Sequence, residues 1–327
     1  MRSVLVVGAG ALGSVYGAFF ARAGLEVQLL AREPHARAVQ EQGGLRLAES
    51  GAEELVPLRA EWRPELVEPA DLVVLATKTP ATRRALEDVA HVRDGLSLAL
   101  SLQNGIEKDD ALIEWCGRDR VLGAVSMVGG TMLEPGFAEH TFRGRTIIGE
   151  LAGGTSERVE ELAARVTRGG HELIVSPDVR SVEWMKLVHA IPTMALTALP
   201  RLYFHEALLS PQLARAYVAL AREGARVAQA AGAVLDDESV LFPLRSIVTA
   251  PEDEAVELVH ARGRLMRDAG MTEVLVSMLA SVQSRTRLEV EEIFGWVVRE
   301  AVRLGIPVPA IELCYLILSG LDATFAA

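Results

Sequence analysis

Gly8, Gly10 and Gly13 stand in GxGxxG spacing within "GAGALG". Placed between a strand and a helix, each glycine has its own use. Gly8 makes the tight turn, Gly10 lets backbone approach a pyrophosphate, and Gly13 lets helix and strand pack closely. Ala9, Ala11 and Leu12 complete the loop, and the helix that starts there turns its N–H groups and positive dipole end toward phosphate. A second candidate lies far along the chain. Lys186 is one of three lysines against thirty arginines, in the apolar helical stretch "VEWMKLVHAIPTMALTAL" (182–199). A half-buried ammonium is either a general acid or a side chain that buries its stem and keeps its head in water. The residues alone leave those two readings even. Ser277 and Glu289 follow in "SMLASVQSRTRLEVEEIFG". Their plainer readings are an exposed helix serine and a stabilising acid at a helix N-terminus.

A dinucleotide site for NAD places Asp or Glu at the end of the second strand, on the ribose 2′-hydroxyl. This chain has Ala31-Arg32 there. A guanidinium suits a 2′-phosphate, which it binds in bidentate fashion, so Arg32 points to NADP. Glu33 follows at once and argues the other way. Lys78 after "VVLAT", and Asn104 in "QNG" (103–105), fall at further strand ends. Open α/β sheets bind ligands at such ends. A surface charge and a turn are the alternatives.

These groups need a parallel sheet to gather them. Strand patterns cover 3–8, 26–31, 71–77 and 96–102, with helical stretches at 11–23, 33–43, 80–91 and 108–115 between them. Apolar runs without alternation fit strands buried on both faces. Further strand with a turn is expected over 136–150, a helix over 156–168 and a last strand over 171–176. Pro177 then stops the strand and Asp178 starts a helix. Helical periodicity covers 178–199, 210–231, 252–268, 272–286, 289–304 and 309–320, with Gly232, Gly270 and Gly305 at expected helix ends. The expectation is an α/β protein. A doubly wound parallel-sheet domain for the dinucleotide spans 1–176, and an all-helical domain for substrate and catalysis spans 177–327.

At 327 residues, half of them hydrophobic, the chain has ample material for a core. A net charge of −11, with no basic stripe, argues against a nucleic-acid partner. Cys116 and Cys314 suit neither a metal site nor a disulfide framework. The N-terminus enters a strand pattern without a signal-peptide region, and no apolar run reaches membrane-spanning length. A cytoplasmic protein without a membrane or metal partner is expected. The apolar run "IELCYLILSGL" (311–321) is core or a homodimer surface, core being the plainer reading.

Several motifs recur together in one order: "GAGALGS", Lys78, "QNGIE", "EPG" with "GRTIIGE" (134–150), Trp184 with Lys186, "SML" (277–279), Glu289 with Gly295, and "GIPVP" (305–309). In this the whole chain resembles the ketopantoate reductase (2-dehydropantoate 2-reductase) family. The resemblance implies a Rossmann domain plus a helical domain, with a small 2-keto acid bound between them. It implies NADPH-dependent reduction of 2-dehydropantoate to pantoate, in pantothenate and coenzyme A biosynthesis. Lys186 would then give the proton, Ser277 would contact the substrate, and Glu289 would order the site near cofactor and lysine. Asn104 and Lys78 would lie near the nicotinamide end, Arg32 at the 2′-phosphate, and Gly129 would be a small residue near the cofactor.

The chain departs from that family after the lysine. Family asparagines four, eight and eighteen residues on are here Ala190, Met194 and Phe204. A proline that follows the second asparagine in the family comes earlier, as Pro192. His189 and Thr193 flank the lysine's helical face and are candidate replacements that bind substrate. The competing expectations are a reductase of another 2-keto acid, and an NADP-binding sensor without turnover.

Overall fold

The computed structural model describes residues 1–325. The chain divides into two compact units, Met1–Arg180 and a second that begins at Ser181.

The first unit contains twelve strands: β1 Ser3–Val7, β2 Glu26–Leu30, β3 Leu45–Glu49, β4 Ala52–Val56, β5 Arg59–Glu61, β6 Leu72–Leu75, β7 Leu98–Ser101, β8 Val121–Ser126, β9 Gly129–Glu134, β10 Phe137–Phe142, β11 Thr146–Glu150 and β12 Leu173–Val175. Eight form one sheet in the order β12-β11-β8-β7-β6-β1-β2-β5. Every neighbour in it is parallel except β8 with β11. From β5 to β8 this is the doubly wound order, and the direction of winding reverses between β1 and β6. β1 shows why such strands read as unbroken apolar runs. Val4 and Val6 enter the core on one face, Leu5 and Val7 the core on the other.

A second sheet, β4-β3-β10-β9, is absent from the sequence expectation apart from β10. It is difficult to read because β4 (AEELV) is exposed along most of its length and shows no apolar alternation. β8 also lies outside the expected strands, for a different reason. Gly123 interrupts its apolar run because Val179 Cγ1 fills the space of a side chain, 2.6 Å from where a Cβ would lie.

The helices of this unit are α1 Ala11–Arg22, α2 Glu33–Glu41, α3 Thr82–Asp88, α4 Lys108–Cys116 and α5 Glu157–Arg168. α1 packs against β2 of the large sheet and against β9, β10 and β3 of the small one. It is buried without a break from Gly13 to Phe20, as a helix covered on opposite sides must be. Its polar groups are therefore paired. Ser14 Oγ bonds His35 Nε2 at 3.0 Å, and the Tyr16 hydroxyl donates to Ser126 Oγ at 2.7 Å. Tyr16 also bonds Thr146, whose Oγ1 lies 2.8 Å from His171 Nε2. His171 stacks on Phe19 with ring centroids 4.0 Å apart. Burial pushes the Tyr16 hydroxyl up to about 12. Burial, with His140 nearby, lowers His171 to about 4.

The second unit is helical: α6 Val179–Ala198, α7 Phe204–Leu209, α8 Pro211–Ala230, α9 Leu244–Thr249, α10 Glu252–Asp268, α11 Ser277–Gln283, α12 Trp296–Leu304 and α13 Pro309–Ala323. α6 starts two residues before the unit does. It runs unbroken through Pro192, whose nitrogen cannot donate to the carbonyl one turn back. Thr193 and Thr197 donate their hydroxyls to the backbone one turn back, at 2.8 Å each. Short α7 and α9 lie outside the expected helices. Among the described residues no helix is long and apolar enough to cross a membrane.

His171 predicts how stability depends on pH. Its ordinary value of 6.5 falls to about 4 in the folded chain. Below about pH 6.5 the unfolded chain takes up a proton that the folded chain refuses, so stability falls toward pH 4 and this group has no effect above 6.5. The urea midpoint is expected to be lower at pH 5 than at pH 7.5, with a smaller difference in His171→Gln. Equal pH slopes in the two proteins would refute the assignment.

Candidate active site

The cofactor candidates of the first unit sit at the carboxyl ends of neighbouring parallel strands. β1 ends at Val7, and Gly8 follows with φ 86°. The N–H groups of Gly8 and Ala9 donate to Leu30 O at 3.0 and 2.9 Å, tying the turn to the end of β2. A Cβ on Gly8 would lie 2.3 Å from Thr77 Cγ2 and 2.8 Å from Thr77 N. Both the dihedral and the space therefore demand glycine. On Gly13 a Cβ would lie 3.1 Å from Ala76 Cβ and 3.2 Å from Val6 Cγ1, so α1 can sit close to β1 and the end of β6. Gly10 differs from both. Its φ of −81° is ordinary, and a Cβ there would have nothing within 4 Å. The backbone at Gly10 faces open space at the N-cap of α1, where no side chain caps the helix. The N–H groups of Ala11, Leu12 and Gly13 in its first turn are left to an anion. This arrangement fits a dinucleotide pyrophosphate.

Arg32 is the N-cap residue of α2, just past β2, and is exposed. Glu33 beside it is paired with Arg37 one turn on, at 2.8 Å. The carboxylate that argued against a 2′-phosphate is thus engaged along its own helix. Lys78 is exposed and precedes a 3₁₀ turn, Thr79–Ala81. Asn104 is half-buried beyond β7, before Gly105 with φ 84°.

Between them stands a residue without a role in the sequence reading. Gln103 is buried, and its Nε2 donates to Thr77 O at 2.8 Å and to Thr82 Oγ1 at 2.7 Å. Its Oε1 accepts from Ser101 at 3.0 Å. Gln103 thereby joins the strand-end loops that carry Lys78 and Asn104, and it braces the same Thr77 against which Gly8 turns. The available signal was a polar amide directly after a buried apolar strand. Gly129 opens β9, where a Cβ would lie 2.7 Å from Phe142 Cβ, so its small size answers to its hairpin partner. The neighbour Gly130 is the glycine that lies against α1, 3.2 Å from the carbonyl of Ala11 by the same measure.

In the second unit Lys186 is half-buried midway along α6. Trp184, two residues before it and on the opposite face of the helix, packs on Trp296 with ring centroids 5.2 Å apart. Trp296 follows a π-helical turn, Glu291–Gly295, and half-buried Glu289 lies just before that turn. The Trp pair thus holds the Lys186 helix against the segment that follows Glu289. The sequence expects regular helix from 289 to 304. The extra residue of the π turn leaves Glu291 to accept from the Tyr315 hydroxyl at 2.6 Å and from Arg299 at 3.1 Å. Ser277 is exposed as the first residue of α11, which is shorter than the expected 272–286.

His189 and Thr193 turn out differently from each other. His189 Nδ1 is 2.6 Å from the Tyr217 hydroxyl, and burial with Lys186 nearby lowers the imidazole to about 3, so it is neutral. Thr193 is buried, and its hydroxyl is committed to the His189 carbonyl at 2.8 Å. Among the described residues no group of His, Cys, Asp or Glu is arranged to hold a metal ion.

The family described as "Ketopantoate reductase PanE/ApbA" matches residues 4–153, and its C-terminal counterpart matches residues 178–322. A 2-dehydropantoate 2-reductase of Halobacterium salinarum is 30% identical over 312 residues, 94% of this chain and 95% of that protein. One of Pyrococcus abyssi is 37% identical over 187 residues, and there the chain spans 60% of the relative's length. A PanE/ApbA family ketopantoate reductase from Ralstonia eutropha shares the fold with a TM-score of 0.81 at 28% identity, over 100% of both chains. D-Mandelate dehydrogenase with NADH and anilino(oxo)acetate has a TM-score of 0.85 at 19% identity, over 100% of both chains, a likeness of fold.

The contrast between Gly8 and Gly10 is testable. Gly8→Ala should lower both the melting temperature and dinucleotide affinity, the strain alone being worth about 1–2 kcal/mol. Gly10→Ala should leave the melting temperature unchanged and weaken affinity about tenfold or more, in an NADPH fluorescence titration. Unchanged affinity in Gly10→Ala would refute the reading of the loop.

Proposed function

The chain belongs to the PanE/ApbA ketopantoate reductase family, and on that premise we propose that it reduces 2-dehydropantoate to pantoate with NADPH, Lys186 giving the proton. The observation that carries this reading is the family match, which covers both units and thereby includes the glycine loop and Lys186 in one frame. Bound NADPH would supply a hydride to the keto carbon. The chain's own residues have the remaining work. The Gly8–Gly13 loop and the first turn of α1 hold the pyrophosphate, and Arg32 takes the 2′-phosphate. The Lys186 ammonium stabilises the charge that develops on the keto oxygen and gives that oxygen a proton. Ser277 contacts the substrate, and Glu289 and Asn104 order the groups around it. Lys78 lies with the cofactor. The pathway that follows is pantothenate and coenzyme A biosynthesis, in the cytoplasm.

One observation favours a second reading, reduction of a different 2-keto acid. Ala190, Met194 and Phe204 stand where the family pattern has asparagines, and they are 7%, 5% and 6% exposed. The D-mandelate dehydrogenase that shares the fold was captured with anilino(oxo)acetate. A panel of 2-keto acids beside 2-dehydropantoate, assayed by NADPH oxidation, separates the two readings. A kcat/KM for another acid that exceeds the 2-dehydropantoate value by tenfold or more selects the second.

Two substitutions test the assignments. Lys186→Ala should lower kcat about 10²–10⁴-fold, the range for a positioned proton donor, with NADPH affinity kept. Arg32→Ala should raise the KM for NADPH about tenfold or more and leave the NADH parameters unchanged. Full turnover in the first variant, or equal losses with both nucleotides in the second, would contradict the respective role.

A further inference from the structure

Beyond β2 the large sheet has one more strand, β5, and its end stands beside Arg32. The two strands are parallel with Leu30 opposite Glu61, and Ala31 N donates to Glu61 O at 2.9 Å. Carried on by two residues, that register sets Arg63 opposite Arg32. The chain is fixed at this point from both sides. The Glu61 carboxylate accepts from the N–H groups of Trp62 and Arg63 at 2.9 and 3.0 Å. Pro64 restricts the residue before it to extended backbone, and Arg63 has φ −100° and ψ 108°.

Trp62 is half-buried and packs against the core that α1, α2 and the sheet share. Its ring carries two guanidiniums. Arg37 Cζ lies 4.5 Å and Arg63 Cζ 5.0 Å from the ring centroid. Arg37 is committed to Glu33 along α2, at 2.8 Å. Arg63 is held less closely by its acid. The Glu61 oxygen that takes two backbone N–H groups meets Arg63 at 3.4 Å, through Nε. A guanidinium has five N–H donors in a planar fork, and a contact at Nε leaves its outer edge to a further acceptor. The Arg63 side chain is 52% exposed, so that edge is within reach of a ligand. An indole anchored in the core thus holds an exposed fork in place, which lowers the ordering cost of binding. Arg32 beside it is exposed as well. The two cations stand at one strand edge of a chain whose net charge is −11.

We propose that Arg63 is a cofactor-specificity residue: it joins Arg32 in binding the 2′-phosphate of NADP(H), and Trp62 is the positioning residue that holds its guanidinium. This rests on the reading of the chain as an NADPH enzyme. A 2′-phosphate carries about two negative charges and three acceptor oxygens, more than one guanidinium meets in bidentate fashion. β2 is the strand whose end meets the adenosine ribose, and β5 is its neighbour on the side away from the reversal of winding. Arg32 and Arg63 therefore share the adenosine side of the sheet, apart from the loop that takes the pyrophosphate.

The test compares 2′,5′-ADP with 5′-ADP by calorimetry on the whole protein, since the two differ only in the 2′-phosphate. Wild-type protein should bind 2′,5′-ADP about tenfold or more tighter. Arg63→Gln should weaken 2′,5′-ADP about three- to tenfold and leave 5′-ADP unchanged. Trp62→Leu should lower the same affinity ratio, and Trp62→Phe, which keeps an aromatic face under the guanidinium, should restore most of it. A purely structural role for Trp62 would weaken both nucleotides alike. Equal losses of the two nucleotides in Trp62→Leu, or a wild-type ratio in Arg63→Gln, overturn the proposal. Wild-type protein that prefers 2′,5′-ADP, with an Arg63→Gln variant that prefers it equally, defeats this proposal alone. Wild-type protein that binds the two nucleotides equally defeats the NADPH reading as well.

Discussion

α1 has no free side, and most of the first unit follows from that. One sheet lies under it and the small sheet lies over it. Its glycines answer to this double covering. A Cβ on Gly17 would lie 2.6 Å from Leu29 Cδ2, one on Gly13 3.1 Å from Ala76, and one on Gly130 of the covering sheet 3.1 Å from Val15. With the body of the helix clamped, its N-terminus is fixed relative to β1, and Gly8 has to reverse the chain within the space that Thr77 leaves. Open space then remains at Gly10. Anion binding at such a terminus depends on amides that need no reorganisation when the ligand arrives. The small sheet, which covers α1 from the other side, is therefore part of the reason that the loop is held in place.

The helix that carries Lys186 is held by comparable means. Arg180, which the first unit contributes to its first turn, belongs to an ion-pair cluster of that unit. Asp109 is 0% exposed and meets Lys108 at 2.9 Å and Arg180 at 3.0 Å. Such a pair is a weak source of net stability but costly to break from one side, since the orphaned charge stays buried. It therefore fixes position more than it adds stability. Farther along, Ser181 Oγ accepts from Val234 N at 2.9 Å, and Trp184 packs on Trp296. The π turn before Trp296 is the irregular element that permits this contact, and Leu288 N is tied to Asp322 at 2.7 Å just ahead of it. Within the second unit Lys186 is thus placed through Ser181 and Trp184, its neighbours at −5 and −2.

The parts of the fold that were legible in sequence are those where one constraint acts at a time. β1, β6 and β7 are buried on both faces and read as apolar runs, and α5 has a single apolar face. The small sheet was illegible because β4 is stabilised by pairing rather than burial, so its residues carry no period. The π turn was illegible because "EEIFG" fits a regular helix equally well, and the choice is made by Tyr315 and Trp184 from elsewhere in the chain. In the site, glycine spacing revealed the loop because each glycine answers a separate steric demand. The task of Gln103 is illegible in sequence, since it links two loops through Thr77 and Thr82, residues that pattern reading has no reason to join to it.

Reaction and substrate depend on different parts of this molecule. The proposed hydride chemistry would use the loop around Gly8–Gly13 and an ammonium, and each is positioned by packing within its own unit. On the proposed function, substrate choice would depend on the residues after Lys186, where Ala190 and Met194 on α6 and Phe204 at the start of α7 stand in place of three expected amides. Loss of three hydrogen-bonding groups would leave substrate oxygens unmet if nothing replaced them, at about 1–3 kcal/mol for each buried group. What surrounds the turn after Lys186 is aromatic: Phe204 and Phe242 pack on the His189 imidazole, the Tyr217 hydroxyl lies 2.6 Å from its Nδ1, and Thr193 donates its hydroxyl to the backbone. Under the proposed function, a site with fewer side-chain donors suits a substrate with fewer oxygens to satisfy.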